Sequence, residues 1–246
     1  MRSKVVCSPM KAAILKCDEV LPIFRPPFSD YSDMICAMFA GQDAGIEFDI
    51  FDCQAGQYPD QPELYDFYIT TGSRAGVYEH SPWIQQLITF VQLLHEKHKK
   101  LIGICFGHQV MAEALGGKVE KSNKGWGIGI ATNQIVATPD WMQPATSVLK
   151  ILASHQDQVV ELPPGARVIA QSEFCPYFFV QWSDHFISIQ GHPEWQSEYS
   201  RALMNYRKDI IPPDTISAAQ ETLDQPPDNR LFTQWMLHFI KGDRSA

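Results

Sequence analysis

The sequence predicts an α/β fold of three layers, in which a mostly parallel central sheet with flanking helices leads into a smaller antiparallel β portion. Three observations carry this. Short apolar runs alternate with helical patterns through the first half of the chain. One run, Leu101-Ile102-Gly103-Ile104, has no polar position, as expected for a parallel strand buried on both faces. In the second half, strand-like segments separated by turn residues replace the helical patterns.

Taken in order, Ala12-Ala13-Ile14-Leu15, the amphipathic stretch Asp33 to Ala40 and Phe48-Asp49-Ile50-Phe51 read as β-α-β. Phe67-Tyr68-Ile69-Thr70 is a further strand that ends at Thr71-Gly72. Ser81-Pro82 then supplies an N-cap and a proline at the first helical position. The helix that follows places Ile84, Leu87, Ile88, Val91 and Leu94 at helical spacing and closes near Lys99-Lys100. After the apolar strand Leu101 to Ile104 comes a helix from His108 to Leu115, stopped by Gly116-Gly117. Ile128 to Ala137, Arg167 to Ala170, Tyr177 to Trp182 and Phe186 to Gln190 read as strands, with antiparallel pairs among them. A helical pattern covers Tyr199 to Tyr206. Pro212-Pro213 and Pro226-Pro227 bracket a polar stretch expected to be a surface connection to a last helix, Leu231 to Ile240.

The 246 residues are 45% hydrophobic and 20% charged, which supports a sizeable core and excludes disorder as a description of the whole chain. No repeat or composition break divides it, so one domain is expected over 1–246, with a core at about 11–210 and a helical extension at about 211–246. A formal net charge of −8 leaves no positive field for nucleic acid or a membrane surface. No apolar run approaches the ~20 residues of a membrane helix, and Met1 to Pro9 lacks the apolar region of a secretory signal. Cys7, Cys17, Cys36, Cys53, Cys105 and Cys175 show no CxxC pairing, which fits a reducing, cytoplasmic compartment with most of them packed as small hydrophobes.

Gly103-Ile104-Cys105-Phe106-Gly107 stands where the buried strand meets a helix. G-x-C-x-G in that context is the cysteine form of a nucleophile elbow, whose glycines allow a sharp turn that exposes the middle side chain. The helix N-terminus favours the thiolate, so Cys105 is a candidate nucleophile; the plainer alternative is a cysteine filling a core gap. A nucleophilic thiol needs a base, and the base needs a partner to hold its tautomer. Gln190-Gly191-His192-Pro193-Glu194 offers both, because residues two apart on an extended segment leave on the same face. His95 and His98 share a helix end without a further ligand motif, so a solvated surface is expected there and no metal.

Gly103 to Gln109 together with Gly191-His192-Pro193-Glu194 resembles the class I glutamine amidotransferase domain, which is flavodoxin-like in fold and uses Cys, His and Glu in that chain order. Ser154-His155-Gln156-Asp157-Gln158-Val159 looks like the family's third block, between the other two. The likeness covers roughly Phe48 to Trp195 and is strongest to stand-alone members similar to the amidotransferase half of GMP synthase and to γ-glutamyl peptidases. It implies Cys105 as the nucleophile on a γ-glutamyl carbonyl, His192 as base and then acid, and Glu194 as its orienting partner. A γ-glutamyl thioester would follow, with no cofactor. One oxyanion donor would be the N–H of Phe106. Many members carry Gly-Gly-Pro in the loop expected to supply the other. Thr71-Gly72-Ser73-Arg74 stands there instead, so Ser73 is the expected donor and Gly72 the source of an unusual backbone angle. Gln109, Ser154, Gln156 and Asp157 match positions around the substrate's amino-acid end, although Gln109 would also suit a helix surface and the other three a capping segment.

The expected reaction is conversion of glutamine to glutamate and ammonia. No G-x-x-x-x-G-K-[ST] loop is present, so a complete synthetase is not expected, and ammonia would go to a synthetase partner. The alternatives are a γ-glutamyl peptidase acting on glutathione-like compounds, and a non-catalytic binding or regulatory protein of the same fold. A partner-dependent subunit should expose an apolar patch, for which Ile210 to Phe239 is the candidate.

Overall fold

A computed structural model describes residues 9–42 and 45–242; the expectations about Cys7 and an N-terminal leader lie outside the described residues. The elements run β1 (Met10–Lys16), α1 (Arg25–Phe28), α2 (Tyr31–Ala40), β2 (Ile46–Asp52), β3 (Phe67–Thr70), α3 (Pro82–Glu96), β4 (Lys100–Ile104) and α4 (Phe106–Ala114). There follow β5 (Lys118–Lys121), β6 (Gly127–Ile135), β7 (Val148–His155), β8 (Asp157–Glu161), β9 (Arg167–Gln171), β10 (Phe179–Ser183) and β11 (Phe186–Ile189). Three helices close the chain: α5 (Ser197–Tyr206), α6 (Pro213–Thr222) and α7 (Asn229–Lys241).

One large sheet has the order β2-β1-β3-β4-β11-β10-β9-β6-β7. Its first five strands are mutually parallel, and the antiparallel portion continues from β11 in the same sheet. A small antiparallel pair, β5 with β8, stands apart from it. The apolar strands read as they do because both faces are covered. Ala12, Ile14, Phe67, Ile69, Ile102 and Ile104 enter one core cluster, shared with α2 and α7. Ala13, Leu15, Tyr68 and Leu101 enter the opposite cluster with α3 and α4. The expected three layers follow directly from this alternation.

Two expectations need correction. The stretch between the proline pairs is not a connection: Pro213 opens α6, where its missing N–H costs nothing. Only Ala219 of α6 is buried, so the helix carries almost no apolar periodicity to read. Nor is Ile210 to Phe239 an apolar surface. Phe232, Trp235 and Met236 are buried in the core against the sheet, each worth roughly 1.5–3 kcal/mol of burial, while Ile210 is the large apolar side chain of that stretch left exposed. Ser81 precedes α3 as expected but makes no side-chain cap. His95 and His98 pack against the ring of His185, 4.8 and 5.0 Å between centroids, and no acidic, cysteine and histidine cluster among the described residues is suited to a metal. No helix among the described residues is long and apolar enough to cross a membrane.

Candidate active site

Register brings the distant motifs together. β4 and β11 run parallel with Ile104 opposite Ile189, so the residues following each strand emerge side by side at the same sheet edge. The N–H of Cys105 donates to the carbonyl of Ile189 at 2.8 Å, and that of His192 to the carbonyl of Leu152 on β7 at 2.7 Å. The turn at Cys105 is strained: φ is +48° and ψ is −94°, a conformation that L-residues rarely adopt. Its neighbours make this possible by having no side chains. A Cβ on Gly107 would lie 1.7 Å from Thr70 Oγ1, and one on Gly103 would lie 2.8 Å from the Gly107 backbone. Both glycines therefore serve close approach of α4 to the strands, and the positive φ falls on the cysteine itself.

His192 is buried and its Nδ1 donates to Glu194 Oε1 at 2.8 Å. The indole of Trp195 covers one face of the ring. Burial alone would lower the imidazole pKa, but the fields of Glu194 and Cys105 and hydrogen bonds to both push it up to about 10. Gln190, fully buried, donates from Nε2 to Cys105 Sγ at 3.5 Å. Gln109 Nε2 in turn lies 3.3 Å from Gln190 Oε1 and 3.3 Å from the carbonyl of Asp157. Gln109 is thus an interior residue, not the helix-surface residue that was its alternative reading, and it is tied to the corner at Asp157.

Ser73, Cys105, Gln109, Ser154, Gln156 and Asp157 all line one cavity of about 250 Å³. Ser154 and Asp157 belong to the end of β7 and the start of β8, so the expected capping segment is the corner between two strands. Phe106 is the first residue of α4, where backbone N–H groups have no intrahelical acceptor. Gly72 requires a different reason from the one expected. Its φ is not positive; a Cβ there would stand 2.9 Å from His192 Cε1 and 3.6 Å from Cys105 Cβ. The residue is small because the histidine ring occupies its space.

Sequence reasoning missed four groups. Gln190 and Trp195 flank the histidine motif directly, and a buried amide beside it was a readable signal. Asp18, nearly buried, takes the Arg74 N–H at 2.9 Å, its Nε at 2.8 Å and its Nη2 at 2.7 Å, fixing the loop that carries Ser73. Desolvation opposes the Asp18 charge, yet the Arg74 hydrogen bonds hold its carboxyl below the usual range. Arg207, just past α5, lines the cavity and had no local signal at all.

The family model for "Glutamine amidotransferase class-I" matches residues 70–208. Gamma-glutamyl peptidase 3 of Arabidopsis thaliana is 30% identical over 231 residues, 89% of this chain and 91% of that protein. The glutamine-hydrolysing GMP synthase of Bacillus velezensis is 39% identical over 106 residues, 42% of this chain and 20% of that protein. A crystal structure of a glutamine amidotransferase from Thermotoga maritima superposes with a TM-score of 0.73 at 20% identity, covering 96% of this chain and all of that one. It speaks for the fold.

Proposed function

This chain belongs to the class-I glutamine amidotransferase family, and from that membership we propose that it hydrolyses a γ-glutamyl amide bond through a thioester on Cys105. The observation that carries the reading is the convergence at one sheet edge of a cysteine on a strained turn, a histidine held by a carboxylate, and a glutamine amide on the sulfur.

Cys105 Sγ, its proton passed to His192, attacks the γ-carbonyl carbon, forming the C–S bond while the carbonyl electrons move to oxygen. The N–H groups of Phe106 and Ser73 receive that oxyanion. Collapse breaks the C–N bond, and the His192 imidazolium gives its proton to the departing nitrogen. Water then attacks the thioester with His192 taking its proton, the C–S bond breaks, and glutamate leaves. Glu194 keeps the imidazole in one tautomer and stabilises its charged form. Gln109 and the corner Ser154, Gln156 and Asp157 surround the amino-acid end of the substrate, and a polar pocket of this kind selects against analogues lacking that head.

Two leaving groups suit this chemistry: ammonia from glutamine, passed to a synthetase partner, or the amine of an amino acid or peptide. The likeness to a γ-glutamyl peptidase across most of both chains favours the second, whereas the GMP synthase likeness covers less than half of this one. Glutamate release from glutathione and from glutamine, with Cys105→Ala as control, tests the reading. The wild-type protein should release glutamate and Cys105→Ala, still folded, should lose at least ~10³-fold in kcat. Normal turnover by the folded variant removes the thioester mechanism.

A further inference from the structure

Among the described residues, Arg74, Lys121 and Arg207 bring positive charge to the cavity at Cys105. Their situations differ. Lys121 is exposed, so solvent screens its charge. Arg74 is answered by both oxygens of Asp18. Arg207 is half-buried and has no carboxylate partner among the described residues. A partly desolvated guanidinium without an anion is costly to the folded protein, and its planar fork matches a carboxylate.

Contacts place Arg207 within the cavity. Its Nη1 donates to Ser154 Oγ at 2.9 Å, and its guanidinium lies over the Trp126 ring, 5.5 Å from the centroid. Ser154 opens the corner between β7 and β8, and Gln109 Nε2 ties that corner down at the Asp157 carbonyl. This is the wall around the amino-acid end of a γ-glutamyl substrate whose γ-carbonyl lies at Cys105. The head of such a substrate carries both charges. Asp157 and Glu79 on the cavity lining suit its α-ammonium. For its α-carboxylate, Arg207 is the half-buried cation that no acidic side chain already holds.

We propose that Arg207 is a specificity residue that binds the α-carboxylate of the glutamyl group. It would restrict the protein to free glutamine and to γ-glutamyl compounds with that carboxylate unblocked, and exclude glutamine within a peptide chain, whose α-carboxyl is an amide. This rests on the γ-glutamyl hydrolase reading above.

The test compares kcat and KM for glutathione, for glutathione amidated at its glutamyl α-carboxylate, and for glutathione amidated at its C-terminus. Glutamine and glutaminamide form a second pair without a carboxylate on the leaving group. Wild-type protein, Arg207→Gln and Arg207→Lys are used, all checked for folding by thermal melts. The wild-type protein should prefer the free α-carboxylate over its amide by about 10- to 100-fold in kcat/KM. In Arg207→Gln that ratio should collapse, chiefly through KM, while the ratio between glutathione and its C-terminal amide stays as in wild type; Arg207→Lys should recover part of the loss. Collapse at the C-terminal carboxylate instead would assign Arg207 to the leaving group and overturn the proposal. Equal losses on α-acid and α-amide, or a wild-type protein indifferent to the α-amide, would overturn it too. Calorimetric titration with glutamate and with isoglutamine, its α-carboxamide, separates the proposal from the reading beneath it. Silence of the wild-type protein on every compound would overturn the hydrolase reading; tighter binding of glutamate than isoglutamine, lost in Arg207→Gln, would still support the role of Arg207, and the absence of that difference would overturn it.

Discussion

The imidazole of His192 lies flat on the indole of Trp195, ring centroids 3.7 Å apart and planes 11° from parallel. With Glu194 on the ring's edge, stacking fixes the plane while the hydrogen bond fixes rotation within it. Trp195→Ala removes the first constraint only. It should lower kcat by about 10- to 100-fold with a smaller change in KM, because misplacement of the ring by about 1 Å is enough for such a loss. Loss of the buried indole also costs about 3–5 kcal/mol, so Trp195→Phe, which keeps an aromatic face, is the companion variant and should retain more activity. Full kcat in a folded Trp195→Ala protein would show that stacking does not position the base.

Glu194→Gln tests the second constraint through pH. His192 is raised from 6.5 to about 10, with burial opposing and Glu194 the largest of the raising influences. A raised cationic group contributes stability that is complete below the unfolded value and is lost as pH climbs through the folded one. Wild-type stability should therefore decline between about pH 6.5 and 10 from this residue, and Glu194→Gln should flatten that slope while lowering kcat by about 10²- to 10⁴-fold. Urea unfolding across that range checks it; an unchanged alkaline slope in the variant rules out Glu194 as the cause.

Gly72→Ala isolates a steric argument. Because φ at Gly72 is not left-handed, a methyl group strains no backbone there and must instead displace the His192 ring, 2.9 Å away. Activity should fall by about 10- to 100-fold with stability changed by less than ~1.5 kcal/mol. Equal activity of Gly72→Ala and wild type would mean that the ring can move without consequence.

The legible parts of the sequence were those whose physics is local. β1, β3 and β4 announce themselves because strands covered on both faces are apolar at consecutive positions, and the elbow because glycine is needed on either side of Cys105. β7 was lost because Lys150 interrupts its apolar run; in the fold its Nζ reaches Gln225 Oε1 at the surface. β5 buries one residue and β8 two, too few to set a period. Arg207 and Asp18 were invisible for another reason. Each acts on a loop far away in sequence, so only the assembled sheet edge gives either a role.

Two buried histidines predict how the fold responds to acid. His108 has no exposed surface, with Nδ1 2.7 Å from Ser188 Oγ, and burial, aided by the field of His155, lowers its pKa to about 3. His155 is lowered to about 4, again chiefly by burial, against the Asp157 carbonyl and with the field of His192. Unfolded, both take up a proton near 6.5, whereas folded they stay neutral to far lower pH. The unfolded chain thus binds more protons, and each residue withdraws about 1.4 kcal/mol of stability per pH unit as pH falls below 6.5. Together that amounts to about 4 kcal/mol by pH 5. His192 does not offset it, since its own contribution is already complete below 6.5. Urea midpoints at pH 7 and pH 5 should differ accordingly, and His108→Gln, though less stable at pH 7, should lose roughly half as much on acidification. If that variant acidifies with the wild-type slope, His108 is titrating in the folded protein and its burial is not what keeps it neutral.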